Sequence, residues 1–381
     1  MTDNSNYKRT AFLLSSFFFL HYATLGIIFP FTGYYFKLAG FSGTEIGIFL
    51  SIFPLVKFLL TARWLHFFSK VKNKNLFVAA CVVISTFAIF PLTLTNNRLL
   101  VGLILFIFSV TRTGVIPVID SIAVSMDSHI PYGRIRLFGS IGFICTSIIG
   151  GMLMDKIGPS AFVWTYTAAG LLAAVPAFLT DYSGDFLKPR SKAERKLTPE
   201  LAVFFLGVTV YLTSFGFLSN FFNIKVSEAG YSQTWAGYMW SIGVLTEIVF
   251  LYNQEIILKM FRVKTLLALS MFMAGVRYLV TGYTDSLLVL CIFSTFNGFA
   301  YGGVHIAIMR YIRRYVPDRL KLKAQGMYSG FGYGLGTIIG SLISGIVYDI
   351  SGIQAVFAAS FVLCTAAAMI IYFLTGKTEE A

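Results

Sequence analysis

The chain has 381 residues, of which 56% are hydrophobic and only 12% are charged, and its formal net charge is +13. This composition excludes a water-soluble globular protein, in which about 25% of the residues are charged. Helices of ~20 apolar residues would use nearly the whole chain, which also excludes a separate soluble catalytic domain.

Apolar segments bounded by charged or turn-forming residues predict twelve transmembrane helices. The first follows Lys8 and Arg9, and we expect it to be retained as a span because it is too long for a signal peptide and lacks a small-residue cleavage site. The predicted spans are 10–35, 43–67, 76–95, 98–126, 134–156, 159–181, 199–226, 232–258, 263–284, 287–311, 324–349 and 353–375.

Lysines and arginines are concentrated in alternate predicted loops. One side of the membrane carries 23 of them, and the other side carries four: Lys37, Arg98, Lys156 and Lys225. Because positively charged loops stay in the cytoplasm, we expect both termini to be cytoplasmic. Topology then explains the net charge of +13 without a nucleic acid partner. We therefore expect a multi-pass protein of the bacterial inner membrane.

The longest polar segment, residues 182–198, lies at the middle of the chain and is predicted to be a cytoplasmic linker. It separates two predicted six-helix bundles, residues 1–181 and 199–381. A shift of 194 positions places Asp155 on Asp349, together with several neighbouring glycines, so the sequence around the fifth span recurs around the eleventh. This repeat predicts an all-α membrane protein built from two pseudo-symmetric halves.

The motifs of enzymes and of cofactor sites are missing from the sequence. There is no HExxH metal pair, no phosphate-binding loop and no nucleophile motif with a base. The cysteines Cys81, Cys145, Cys291 and Cys364 lie in apolar segments without the spacing of metal ligands. We therefore expect no enzymatic activity, no metal site and no cofactor.

Several ionisable residues lie inside predicted spans, far from any loop. A charged side chain at the bilayer centre costs at least ~2.5 kcal/mol, so such residues are candidates for a functional site. These residues are His21, Lys57, Arg112, Asp120, Glu247, Arg277 and His305.

Glu247, near the middle of the eighth span, is the main candidate for a proton-coupling group. Burial raises the pKa of a carboxylate towards neutrality, so that it can load and release a proton. Arg277, one span later, is a candidate counter-charge. The alternative hypothesis is a permanent Glu247–Arg277 pair that only ties two helices together.

The other buried residues allow two interpretations each. Arg112 and Asp120 are eight residues apart, about 80° of helical rotation and ~12 Å of rise, so we expect each to bond to other helices. Asp120 is either a second proton-coupling group or a cap near the cytoplasmic surface. Lys57 either extends to the surface or takes part in a charge pair. His21 and His305 are either structural or functional, and His305 is a candidate for proton coupling or for binding an anion.

Five segments of the chain resemble a known family. They are PVID and its following small residues (117–123), YGRIRLFGSIGF (132–143), GVLTEIVF (243–250), GVRY around Arg277, and HIAIMRYIRR (305–314). In these segments the chain resembles the major facilitator superfamily, in the group of permeases similar to the bacterial 3-phenylpropionate permease and, more distantly, the lactose permease.

The resemblance implies a major facilitator fold and a secondary transporter that works by alternating access. It also implies that the cytoplasmic arginines Arg134, Arg136 and Arg310 belong to gating motifs, and that Asp120, Glu247, Arg277 and His305 lie at polar motif positions. The loop after the second span departs from the family pattern. In residues 63–74 the positive charge is kept, but the usual glycine and acidic residue are missing.

The leading hypothesis is a proton-coupled importer of a small organic solute, driven by the proton gradient. The buried Arg112, Arg277 and His305 make an organic anion one candidate substrate. The alternatives are a proton-antiport efflux pump of the same fold and a membrane sensor that does not transport. We expect a monomer in the lipid bilayer.

Overall fold

The computed structural model describes residues 2–126, 130–182 and 198–374. All the elements in these ranges are helical. The predicted linker falls almost wholly on residues 183–197, outside the described residues.

Fifteen α-helices follow one another along the described chain, with a short 3₁₀ turn at Phe90–Thr93 and wider π-helical stretches at Gly298–Gly303, Tyr328–Gly336 and Ile370–Leu374. The α-helices are α1 (Thr2–Leu38), α2 (Gly43–Lys70), α3 (Lys74–Ile89), α4 (Arg98–Arg112), α5 (Val115–Ser125), α6 (Tyr132–Ile157), α7 (Ser160–Leu179), α8 (Pro199–Glu228), α9 (Gln233–Tyr252), α10 (Gln254–Met260), α11 (Val263–Tyr283), α12 (Leu287–Ser294), α13 (Val304–Tyr315), α14 (Asp318–Met327) and α15 (Thr337–Met369).

Polar residues mark the beginnings of several helices. The side chains of Asn73, Asn97 and Thr198 accept hydrogen bonds from backbone N–H groups in the first turns of α3, α4 and α8. These bonds satisfy donors that have no partner within the helix.

Among the described residues, eleven stretches are long and apolar enough to cross a membrane. The last, Lys323–Leu374, has 52 residues, about twice the length that one crossing needs. Gly352 interrupts it with a φ of 76°, and Gly158, between α6 and α7, has a φ of 77°. Only glycine adopts this conformation readily. The Gly352 break supports the prediction that this stretch forms the eleventh and twelfth spans.

The described residues form two compact units. Unit 1 comprises those within 1–39, 55–190 and 232–237, and unit 2 comprises the remainder. Residues 40–54, which include the beginning of α2, belong to unit 2, and residues 232–237, which include the beginning of α9, belong to unit 1.

Each unit is held together by close helix packing. In unit 1, α1 packs against α6 and α7, and in unit 2, α8 and α11 pack against α15. A β-carbon at Gly142 would lie 2.0 Å from the Phe19 carbonyl oxygen, and one at Gly340 would lie 2.0 Å from that of Thr213. The missing side chains therefore allow the backbones to touch, which is the main way in which helices associate in lipid.

Candidate functional site

Arg112 is a buried cation in unit 1 and ends α4. Its side chain is only 5% exposed. The helix is interrupted directly after it, and α5 begins at Val115. A β-carbon at Gly114 would lie 1.9 Å from Cε3 of Trp64, so the Trp64 ring packs directly on the backbone at this interruption.

The Arg112 guanidinium bonds to two other helices, as its position in the sequence predicts. Nη1 donates to the Tyr166 hydroxyl of α7 at 2.8 Å. Nη2 donates to Thr24 Oγ1 and lies 3.2 Å from Nδ1 of His21, both in α1. The structure therefore brings the predicted residues His21 and Arg112 together in one cluster.

None of the groups that bind Arg112 is a carboxylate. Its Nε atom is buried and has no hydrogen-bond partner among the described residues. A buried cation is costly unless a negative charge compensates it. The cluster therefore offers a free donor and an uncompensated positive charge to an anionic group.

Asp120 lies in a second polar cluster of unit 1. The Tyr132 hydroxyl donates to Asp120 Oδ1 at 2.9 Å. Arg136 and Lys57 lie near enough to act on Asp120 electrostatically, and Lys57 is exposed on α2. The structure thus brings Lys57, Asp120 and Arg136 together.

The three predicted cytoplasmic arginines differ in their surroundings. Arg136 donates to the Tyr22 hydroxyl, and its guanidinium carbon lies 3.9 Å from the centre of the Tyr22 ring. Arg134 and Arg310 are exposed, in α6 and α13. Arg136 is therefore fixed by an aromatic residue, whereas the other two are surface residues.

Arg277 is the buried cation of unit 2, in α11, and is 2% exposed. Its Nη1 donates to Asn297 Oδ1 at 2.7 Å, and Asn297 Nδ2 donates to the Gly243 carbonyl at 3.1 Å. The partner that the structure shows for Arg277 is therefore Asn297. The predicted pairing of Arg277 with Glu247 stays a prediction.

Tyr328 connects two predicted proton-coupling residues of unit 2. Its hydroxyl lies 3.2 Å from Nδ1 of His305 and donates to the Tyr333 hydroxyl at 3.3 Å. The charge of Glu247, in the half-buried middle of α9, acts on Tyr328 electrostatically. Tyr301 lies parallel to His305, with ring centres 6.3 Å apart. The phenol of Tyr328 therefore contacts the imidazole of His305 and lies within the electrostatic influence of the Glu247 carboxylate.

A small pocket with room for about one water molecule lies beside these residues in unit 2. Its walls include the rings of Tyr211, Tyr278, Tyr301 and Tyr333 and the amide of Asn297. The lining combines flat apolar faces with a few polar groups.

Sequence reasoning missed the neutral residues that bind or contact the predicted site residues. Tyr166 binds Arg112, Asn297 binds Arg277, and Tyr328 contacts His305. The sequence does indicate Asn297, because an amide within an apolar segment needs a polar partner. It does not indicate which tyrosines belong to the site, because the chain contains 20 of them and most of their positions suit any membrane protein equally.

The described ranges contain no group of three or more His, Cys, Asp or Glu side chains that could hold a metal ion.

The chain matches the MFS_1 like family over residues 11–359. It is 26% identical to the maltose permease of Geobacillus stearothermophilus, over 98% of this chain and 96% of the relative. It is 23% identical to the probable 3-phenylpropionic acid transporter of Escherichia coli (strain K12), over 88% of this chain and 90% of the relative.

Solved transporter structures share the fold. The crystal structure of the nucleoside transporter NupG aligns with a TM-score of 0.80 and 16% identity, over 95% of this chain and 97% of that one. A bacterial homologue of the human lysosomal transporter Spinster aligns with a TM-score of 0.73 and 15% identity, over 97% of both chains. The predicted all-α major facilitator fold is thereby confirmed.

The family match covers most of the chain, and the permeases above extend over nearly its whole length. Proteins of this kind are transporters rather than enzymes and need no cofactor. The chain therefore belongs to the MFS_1 like family and is a multi-pass membrane transporter of the major facilitator type.

Proposed function

We propose that this transporter imports a small organic anion together with protons. The observation that carries the proposal is the Arg112 cluster, in which a guanidinium that is 5% exposed has no carboxylate among its partners and keeps an unused Nε donor. A carboxylate of the solute would complete this site in the way that arginine forks bind carboxylates elsewhere.

The relative from Escherichia coli is named for 3-phenylpropionic acid, which combines a ring with a carboxylate. The maltose permease is named for an uncharged sugar. Comparing the transport of these two solutes therefore distinguishes an anionic substrate, as proposed, from a neutral one.

Proton coupling is assigned to Glu247, with Tyr328 and His305 as its neighbours. The carboxylate is half-buried in a spanning helix, and its charge acts on the phenol that contacts His305. Protonation of Glu247 would remove a charge from the membrane interior, which makes the loaded carrier cheaper to rearrange. Asp120, bonded to Tyr132, is the second candidate.

Arg134 and Arg310, on the predicted cytoplasmic face, are proposed as gating residues. The working unit is proposed to be a monomer of the inner membrane.

Uptake into proteoliposomes tests the proposal. With an inside-alkaline pH gradient, radiolabelled 3-phenylpropionate should accumulate, whereas maltose and xanthosine should not. Accumulation of maltose or xanthosine in place of the acid would refute the anionic substrate. Accumulation that ignores the gradient would refute proton coupling, and loss of preloaded acid against its gradient would indicate export.

Two variants test the proposed roles of Arg112 and Glu247. Arg112→Lys keeps the charge but cannot bridge Tyr166 and Thr24 as a fork, so the KM for 3-phenylpropionate should rise about 10–100-fold. Arg98→Lys, at the exposed beginning of the same helix, is the matched control and should transport normally. Glu247→Gln should abolish accumulation but keep exchange of internal for external solute. If exchange is lost as well, Glu247 is not the coupling residue.

A further inference from the structure

Two aspartates each bind the first turn of a helix that comes from the other half of the sequence. Asp349 lies in unit 2, together with residues 40–54 at the beginning of α2. Asp155 lies in unit 1, together with residues 232–237 at the beginning of α9. Both carboxylates lie at the membrane surface that the charge distribution predicts to be external.

Asp349 satisfies the backbone donors of α2 that have no local acceptor. Ser42 and Glu45 form a capping box, in which the Glu45 N–H donates to Ser42 Oγ at 3.2 Å and the Ser42 N–H donates to Glu45 Oε2 at 2.9 Å. The Gly43 and Thr44 N–H groups remain. Each donates to one oxygen of Asp349 at 2.7 Å, and the Thr44 hydroxyl donates to the same carboxylate at 2.7 Å.

Asp155 does the same for α9. The Gln233 N–H donates to Oδ1 at 2.8 Å, and the Thr234 N–H donates to Oδ2 at 2.9 Å. The Thr234 hydroxyl also donates to Oδ2, at 2.5 Å. Two N–H groups and one threonine hydroxyl therefore meet one carboxylate at both places.

The sequence carries the same duplication. Residues 39–47 read AGFSGTEIG and residues 229–237 read AGYSQTWAG, so the glycine turn, the serine, the threonine and the last glycine recur. Gly40 and Gly230 have φ values of 85° and 83°. The two aspartates themselves are related by the 194-residue repeat.

Below each carboxylate the helices touch through backbone. A β-carbon at Gly47 would lie 2.3 Å from the Ser341 carbonyl oxygen, and one at Gly237 would lie 2.3 Å from the Ser147 carbonyl oxygen. Contacts of this kind have no interlocking side chains, so they can separate and re-form without rotamer changes.

Each aspartate contact is suited to repeated opening. Both carboxylates are exposed, and an exposed charge at a helix N-terminus is bound only weakly. When the contact breaks, water can form hydrogen bonds with the carboxylate and with the N–H groups of the helix. The two aspartates thus combine a defined geometry with a low cost of release.

We propose that Asp155 and Asp349 are twin latches that hold the external side of the transporter closed and must release when it opens. This inference rests on the proposed transport function and on the alternating access that the resemblance implies. It assigns these residues a positioning role, because they act through the first turns of α2 and α9.

Thiol labelling tests the latches without substrate or pH gradient, so its outcome is independent of the transport assay. Ser341→Cys and Ser147→Cys place a nearly isosteric, buried thiol under each latch; Ser341 is 3% exposed and Ser147 is 0% exposed. In intact cells, a membrane-impermeant maleimide should label both slowly. Asp349→Asn should accelerate labelling at position 341 about fivefold, and Asp155→Asn should do the same at position 147.

Glu228→Gln is the matched control. Glu228 is exposed at the same predicted surface and accepts a hydrogen bond from Tyr348 at 2.7 Å, but both residues lie in the C-terminal half. It should leave labelling unchanged. The proposal is overturned if the two aspartate variants label at the parental rate, or if Glu228→Gln accelerates labelling equally.

A milder pair of variants covers the case in which the asparagine variants do not reach the membrane. Thr44→Val and Thr234→Val each remove one hydroxyl donor from a latch and keep the side-chain shape. Each should accelerate labelling about twofold at the thiol beneath it. Unchanged rates in folded Thr→Val variants would overturn the proposal as well.

Discussion

Arg277 depends on one neutral residue for its place in the interior of unit 2. Its Nη1 binds Asn297, and its Nε has no partner among the described residues. Because Asn297 also donates to the Gly243 carbonyl, the amide holds the guanidinium and ties α11 to α9 at the same time. Loss of this one side chain removes the hydrogen bond of the buried guanidinium, whereas the Gly243 carbonyl still accepts a hydrogen bond from the Thr246 hydroxyl at 2.8 Å.

We therefore expect Asn297→Ala to destabilise the protein by about 1.5–3 kcal/mol, the usual contribution of a hydrogen bond to a charged group. Thermal unfolding of the detergent-solubilised protein measures the effect as a lower Tm. Asn253→Ala is the control, because that amide donates to the Val249 carbonyl at an exposed turn, where substitutions change stability by less than about 0.5 kcal/mol. Equal Tm values for the two variants would contradict the role given to Asn297.

For single residues, the sequence predicts which charged side chains are candidates for the site, but it does not predict most of their hydrogen-bond partners. A charge within an apolar span is costly, so Arg112 and Arg277 are visible by position alone. Tyr166 becomes visible only when the helices are packed, because tyrosines are common in this chain, whereas Asn297 is indicated by the sequence as an amide within an apolar segment. The Tyr328 contact that relates His305 to Glu247 likewise depends on packing between distant segments.

At the scale of elements, the predicted spans agree with the helices except where a helix is interrupted. The fourth span is predicted as one helix over 98–126, but the structure ends α4 at Arg112 and begins α5 at Val115. The hydrophobic pattern continues through the break, but Pro117 lies four residues after Thr113, and its ring and missing N–H interrupt a helix at that position. The Trp64 ring occupies the space of a side chain at Gly114 in this break.

Gly114→Ala should therefore destabilise the protein by about 1–3 kcal/mol, since Trp64 and the backbone beside Arg112 must move. Gly102→Ala, in the same span, is the matched control, because no atom lies within 4 Å of its added β-carbon. That change should be neutral or raise stability by about 0.5–1 kcal/mol through helix propensity. Tm values of the two purified variants decide the matter, and the same Tm for both would show that the Trp64 contact is dispensable.

At the scale of the whole molecule, composition, charge and the internal repeat predict the membrane class and the duplicated architecture. They do not reveal that α2 and α9 each begin among helices of the other sequence half. That arrangement includes three hydrogen bonds to each of Asp349 and Asp155, which no hydrophobic pattern records. The repeated AG-aromatic-serine segments at 39–47 and 229–237 are the sequence signal that would have pointed to it.

Orientation in the membrane is the remaining property that the charge pattern predicts for the whole chain, and cysteine labelling of intact cells tests it. Arg98→Cys and Ser351→Cys should react with an impermeant maleimide, because both residues are exposed and lie on the side with only four basic residues. Lys72→Cys, on the side with 23, should react only after the membrane is permeabilised. Labelling of Ser351→Cys from outside would also show that Lys323–Leu374 turns back at Gly352 and crosses twice. External labelling of Lys72→Cys would contradict the predicted orientation, and protection of Ser351→Cys alongside a labelled Arg98→Cys would contradict the twelve-span topology.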